Sequence, residues 1–103
     1  MDIAWIQDRV RMNEYIYSIH AEIERKNDHL TTSTIEEACL NGEIIEQYPN
    51  DPRGKSCLIL GYSAGVPIHI VCGEATSGWL IIITVYIPKE PKWLTPKQRR
   101  NGK

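Results

Sequence analysis

A chain of 103 residues, 42% of them hydrophobic, is long enough for one modest core and too short for two. An overall charge of −1 excludes a uniformly basic polyanion binder, although it conceals +5 over residues 89–103 against −6 over residues 1–88. Three cysteines, Cys39, Cys57 and Cys72, are odd in number and lack any Cys-x-x-Cys spacing, which predicts buried free thiols and argues against a disulfide framework or a zinc site.

The opening Met1-Asp2-Ile3-Ala4-Trp5 is acidic where a signal peptide is basic, so a cytoplasmic protein is expected. Ile3, Ile6 and Val10 recur at helical spacing, with Asp2 placed to favour the N-terminus, and predict an amphipathic first helix over residues 2–13. Residues 14–18 suit either a short extended segment or more helix. Ser18 is a good N-cap for a second helix from Ile19 to about Asn27, whose core side is expected to be Ile19 and Ile23. Ser33 or Thr34, with Glu36 or Glu37 three residues on, has capping-box spacing. Ile35, Ala38 and Cys39 then form the stripe of a third helix that Asn41-Gly42 ends.

From Glu43 onward the pattern is β. Strands are predicted at 43–48, 56–62, 66–72 and 79–87, separated by turn-rich segments. The last of these is rich in β-branched and aromatic residues, and at nine residues it is far too short for a membrane helix, so no membrane partner is expected. Strict alternation would put Ile81, Ile83, Val85 and Ile87 on one face and Leu80, Ile82, Thr84 and Tyr86 on the other. Short connections predict a four-stranded antiparallel meander, and helices followed by strands indicate an α+β fold with the helices on one face. The domain is expected over 1–88, with 89–103 a basic, flexible tail outside the core.

Few side chains suggest chemistry, and no cofactor or metal is expected. His20 is a candidate because histidine is the residue type suited to proton transfer near neutrality, and it has Glu24 one helical turn later; Arg25 points about 100° further round. His69 sits in an aliphatic strand, where it lines the core or meets Thr84 or Tyr86 across a strand pair. Arg53 and Lys55 flank Gly54 in a loop that either holds an anion or is simply solvated. No Walker, His-Glu-x-x-His or Gly-x-Ser-x-Gly motif occurs.

The ordered set Ser18-Ile19-His20-Ala21-x-x-Glu24-Arg25, Gly42 to Pro49, Ser56 to Gly61, Pro67-Ile68-His69 and Ile83-Thr84-Val85-Tyr86 resembles the bacterial family catalogued as domain of unknown function 4258 over residues of about 3 to 88. The resemblance implies a RelE-like or colicin-like ribonuclease toxin fold, with a cognate antitoxin protein as partner. By position it points to His20, Glu24, Arg25, Tyr48, Ser56, His69, Thr84 and Tyr86. A metal-independent endoribonuclease built on them would use His20 or His69 as base or acid and Arg25 or Lys55 as electrostatic clamp, with Thr84 and Tyr86 as hydroxyl groups. Tyr48, Arg53, Lys55 and Ser56 would then contact the RNA. The alternative is a non-catalytic module of the same fold that docks a partner protein. The acidic body weighs against strong binding of free RNA, whose affinity depends on phosphate neutralisation.

Overall fold

The computed structural model describes residues 1–100. In chain order the elements are α1 (Ile3–Arg11), β1 (Tyr15–Tyr17), α2 (Ile19–Asn27), α3 (Thr32–Leu40), β2 (Glu43–Tyr48), β3 (Ser56–Ser63), β4 (Val66–Glu74) and β5 (Leu80–Tyr86). Asp2 and Ser18 cap α1 and α2 as their sequence positions predict, accepting from the backbone N–H groups of Ala4 and Ala21. The cap of α3 is Thr31, two or three residues earlier than expected, and it accepts from the N–H of Thr34. No described helix is long and apolar enough to cross a membrane.

The α+β class and the antiparallel run β2-β3-β4-β5 are as expected, but the sheet has five strands and is mixed. Its order is β1-β5-β4-β3-β2, and β1 runs parallel to β5 with Tyr15 opposite Leu80 and Tyr17 opposite Ile82. Three extended residues suffice, because the tyrosines alternate onto the helix side and pack against its core while Ile16 points away. Parallel pairing needs a long crossover, and residues 18–79 lie between these two strands.

The helix-side core joins Ile6, Val10, Ala21, Ile35, Ala38 and Cys39 to Cys57, Ile59, Ile68, Ile70, Cys72, Leu80, Ile82 and Val85. α3 lies close on β3 because position 61 is glycine: a Cβ there would stand 1.8 Å from the Ala38 carbonyl oxygen. The three cysteines are free and buried, and the sulfurs of Cys57 and Cys72 face each other at 3.9 Å.

Three expectations are corrected. Strict alternation fails in β5, where the register slips between Val71 and Cys72 so that Ile82 and Thr84, not Ile83, face successive β4 residues. This bulge reverses the side-chain order, putting Leu80, Ile82 and Val85 on the helix side and Thr84 and Tyr86 on the second face. The expected core side of α2 is instead solvent-facing, with Ile19 83% and Ile23 55% exposed and Ala21 buried. The reason is the place of α2 beside the edge of β5, which β1 covers only through Ile82. Beyond it, polar groups of the helix serve the unpaired strand: Ser18 N–H and Oγ donate to the carbonyls of Ile82 and Ile83, while Glu24 and Asp28 accept from the N–H groups of Val85 and Ile87.

The third correction concerns residues 89–100, expected outside the core. They fold back over the second sheet face, and Trp93 is only 3% exposed. Leu58 and Leu60 of β3 are buried without belonging to the helix-side core, so this face requires a cover of its own. A tight turn gives the segment its shape: Leu94 donates to the Gln98 carbonyl, Gln98 N–H donates to Thr95 Oγ1, and Trp93 bridges Arg99. Lys103, part of the same expected tail, lies outside the described residues.

Candidate active site at the end of β5

Ser18 starts α2 immediately after β1, which places His20 and Glu24 on successive turns next to the free edge of β5. His20 Nε2 lies 3.2 Å from Glu24 Oε2, and the other carboxylate oxygen, Oε1, accepts from the N–H of Val85 at 3.0 Å. One carboxylate thus fixes an imidazole to the strand residue that separates Thr84 from Tyr86. His20 is 67% exposed, and Glu24, 25% exposed, is the more covered partner that orients it. No hydrogen bond joins His20 to Thr84 or Tyr86 among the described residues. Arg25 does not join this pair: its guanidinium donates to Glu22 and to the Leu30 carbonyl and lies over the Tyr17 ring.

The second face holds a separate cluster. His69 of β4 is fully buried and stands opposite Tyr86 of β5. Its Nε2 is 2.7 Å from the Pro96 carbonyl, which only accepts, so Nε2 carries the proton. Nδ1 is therefore the lone-pair nitrogen and accepts from the Tyr86 hydroxyl at 3.1 Å. Trp93 meets the imidazole edge-to-face, ring centroids 4.3 Å apart. Burial pushes the His69 pKa down, opposed by the Pro96 bond and by Glu46, and burial pushes the Tyr86 hydroxyl up. Both groups are thereby held neutral in the neutral pH range.

Arg99 completes this cluster. It reaches back to β2 and grips Glu46 with two bonds, Nε to Oε2 at 2.8 Å and Nη2 to Oε1 at 3.0 Å, while lying over the Trp93 ring. The Tyr48 hydroxyl donates to Glu46 and accepts weakly from Arg99. Arg99 accordingly holds the Glu46 carboxyl below its usual range, and burial, with the Glu46 bond, pushes Tyr48 up to about 12. Glu46, Trp93 and Arg99 were not among the residues singled out from sequence. Trp93 offered the one available signal, a large aromatic in an otherwise polar, proline-rich stretch.

The remaining candidates sit elsewhere. Asp51 ties down the 49–56 loop, accepting from the backbone and guanidinium of Arg53 and from Ser56 Oγ, and the Arg53 bonds hold its carboxyl well below the usual range. Ser56 is buried opposite Tyr48. Lys55 is exposed at the rim of an open cavity of about 700 Å³ that Trp5 and Glu74 also line. The structure thus brings His20 and Glu24 together, and separately His69 and Tyr86, to which Tyr48 is joined through Arg99 and Trp93, with Thr84 preceding Val85, the strand residue bonded to Glu24. It gathers no three or more His, Cys, Asp or Glu side chains into a metal-holding group among the described residues.

Residues 17–87 match the family described as Domain of unknown function (DUF4258), a span that contains His20, Glu24, His69, Thr84 and Tyr86 and stops short of Trp93 and Arg99. No curated protein and no solved structure matches the chain.

Proposed function

The chain belongs to the family described as Domain of unknown function (DUF4258), and on that footing we propose that it is a metal-independent endoribonuclease, the toxin-like component of a bacterial toxin–antitoxin pair, with a cognate antitoxin protein as its partner. One observation carries the reading: Glu24 clamps an exposed imidazole to the backbone of Val85 at the free edge of β5.

In the proposed reaction His20 takes the proton of a ribose 2′-hydroxyl as that oxygen attacks the neighbouring phosphorus, and Glu24 stabilises the imidazolium that forms. The bond from phosphorus to the 5′-oxygen breaks, leaving a 2′,3′-cyclic phosphate. The departing oxygen takes its proton from solvent and the imidazolium returns its own to solvent, since the Tyr86 hydroxyl lies on the second sheet face and is committed to His69.

Purified protein incubated with single-stranded RNA, and induced expression in a bacterial host, test the proposal together. The expected result is cleavage in the tube and growth arrest in the cell, both lost in His20→Ala. A wild-type protein that cleaves no RNA and leaves growth unaffected overturns it.

A second reading, a non-catalytic docking module, draws on the exposed Ile19 and Ile23, which flank His20 on α2. Under that reading Ile19→Asp with Ile23→Asp abolishes capture of a partner protein while His20→Ala leaves capture intact. The proposed nuclease gives the opposite pattern in RNA cleavage.

A further inference from the structure

We propose that residues 89–100 form a fixed phosphodiester-binding site for single-stranded nucleic acid, built from Lys89, Lys92 and Arg100. The inference deepens the ribonuclease reading by naming the surface that would hold the substrate backbone.

The segment divides its cations between two tasks. Lys97 pairs with Glu43 at 3.1 Å and Arg99 grips Glu46, so these two fasten the segment to β2 while the buried Trp93 anchors it against His69. Lys89, Lys92 and Arg100 are exposed and make no ion pair among the described residues. The backbone holds the three together: Trp93 N–H closes a turn onto the Lys89 carbonyl, Arg100 N–H donates to the Lys92 carbonyl, and Arg100 Nε donates to the Pro91 carbonyl. The backbone from which each cation extends is therefore set by an anchored turn, which lowers the ordering cost of gripping an extended strand.

Location and charge specify the ligand. Residues 1–88 carry −6 and repel a polyanion, so an approaching nucleic acid finds its attractive surface at this segment. Lys89 follows Val85 by four residues, at most about 14 Å of chain, which sets the cluster within reach of the strand residue that holds Glu24 and, through it, His20. Cations of this kind read phosphate charge and neither base nor sugar.

The test is binding, measured by fluorescence anisotropy with a labelled RNA strand of about a dozen nucleotides across a salt series. The His20→Ala protein is used, so that a failure to cleave and a failure to bind are read separately. Lys89→Gln, Lys92→Gln and Arg100→Gln combined are expected to make the slope of log affinity against log salt shallower by about 2, since each phosphate contact on a single strand contributes roughly 0.7. Arg11→Gln on α1 should leave the slope where it is. A DNA strand of the same length is expected to compete within a factor of about ten. An unchanged slope in the triple variant, no binding of either strand at low salt, or tighter binding of polyglutamate than of the oligonucleotide overturns the assignment. If binding follows the expectation and wild type still cleaves nothing, the site stands and the nuclease reading falls.

Discussion

The two histidines that flank β5 occupy opposite chemical situations. His20, on the helix side of the strand end, has one carboxylate partner and an open face toward solvent. His69, on the second sheet face, has both ring nitrogens engaged, an indole against its ring and no exposed surface. The same side chain is thus left open to solvent beside a carboxylate in one place and packed as a neutral ring in the other. Exposure and the number of committed nitrogens separate the two roles, and neither is visible in residue type.

That contrast is broken most directly by exchanging the losses. His20→Ala should reduce RNA cleavage by about 100-fold or more, the usual range for removing a general base, while the thermal midpoint stays within a degree or so of wild type. Trp93→Ala should do the reverse in stability, costing about 3 kcal/mol by emptying the cover over His69, read as a lower denaturant midpoint. Equal stability losses from the two changes would remove the distinction drawn between the regions.

Glu24 sharpens the comparison because it serves both strand and imidazole. Glu24→Ala orphans the Val85 N–H and should cost about 1–2 kcal/mol, toward the low end because water reaches this edge. Glu24→Gln keeps an acceptor for Val85 and removes the charge beside His20. It should therefore keep most of the stability while cleavage falls. If Glu24→Gln and Glu24→Ala are equally unstable, the strand bond is not what the carboxylate provides.

Much of this arrangement was legible in the sequence, and the misses share a cause. The order of helices and strands, the caps Asp2 and Ser18, and the His20–Glu24 pair follow from periodicity and i, i+4 spacing, both local. For His69 the sequence left open a core position or a meeting with Thr84 or Tyr86 across a strand pair, and the structure has it buried and bonded to Tyr86. Three features depended on partners far away in the chain. Ile19 and Ile23 look like a core stripe until the unpaired edge of β5 is known to need the polar side of the same helix. The bulge in β5 leaves no mark in its own composition, yet it decides which face Thr84 and Tyr86 share. The segment after Pro88 reads as a solvated tail because lysine and proline dominate it, whereas Trp93, Lys97 and Arg99 answer to buried leucines and two glutamates on the sheet.

The smallest effect expected is also the most specific to His69. Its pKa in the folded protein lies below the ordinary value of about 6.5, through burial first. Arg99 and Lys92 push the same way, while the Pro96 carbonyl and Glu46 oppose. The unfolded chain therefore takes up the proton first as pH falls. Above about 6.5 the group contributes no pH dependence; below it stability declines, at up to about 1.4 kcal/mol per pH unit, until the folded-state pKa is passed and the decline levels off. Glu46, with its depressed pKa, adds its own loss only further down, as pH falls from the usual carboxylate range through its folded value. Denaturant midpoints at pH 7.5, 6.5 and 5.5 separate the two, and His69→Gln isolates the first, since glutamine offers a donor to Pro96 and an acceptor to Tyr86 without titrating. Wild type should lose stability between pH 6.5 and 5.5 while His69→Gln loses less. Parallel curves for the two proteins would mean that His69 titrates in place, with room for a second proton between Tyr86 and Pro96, and the buried neutral imidazole would have to be given up.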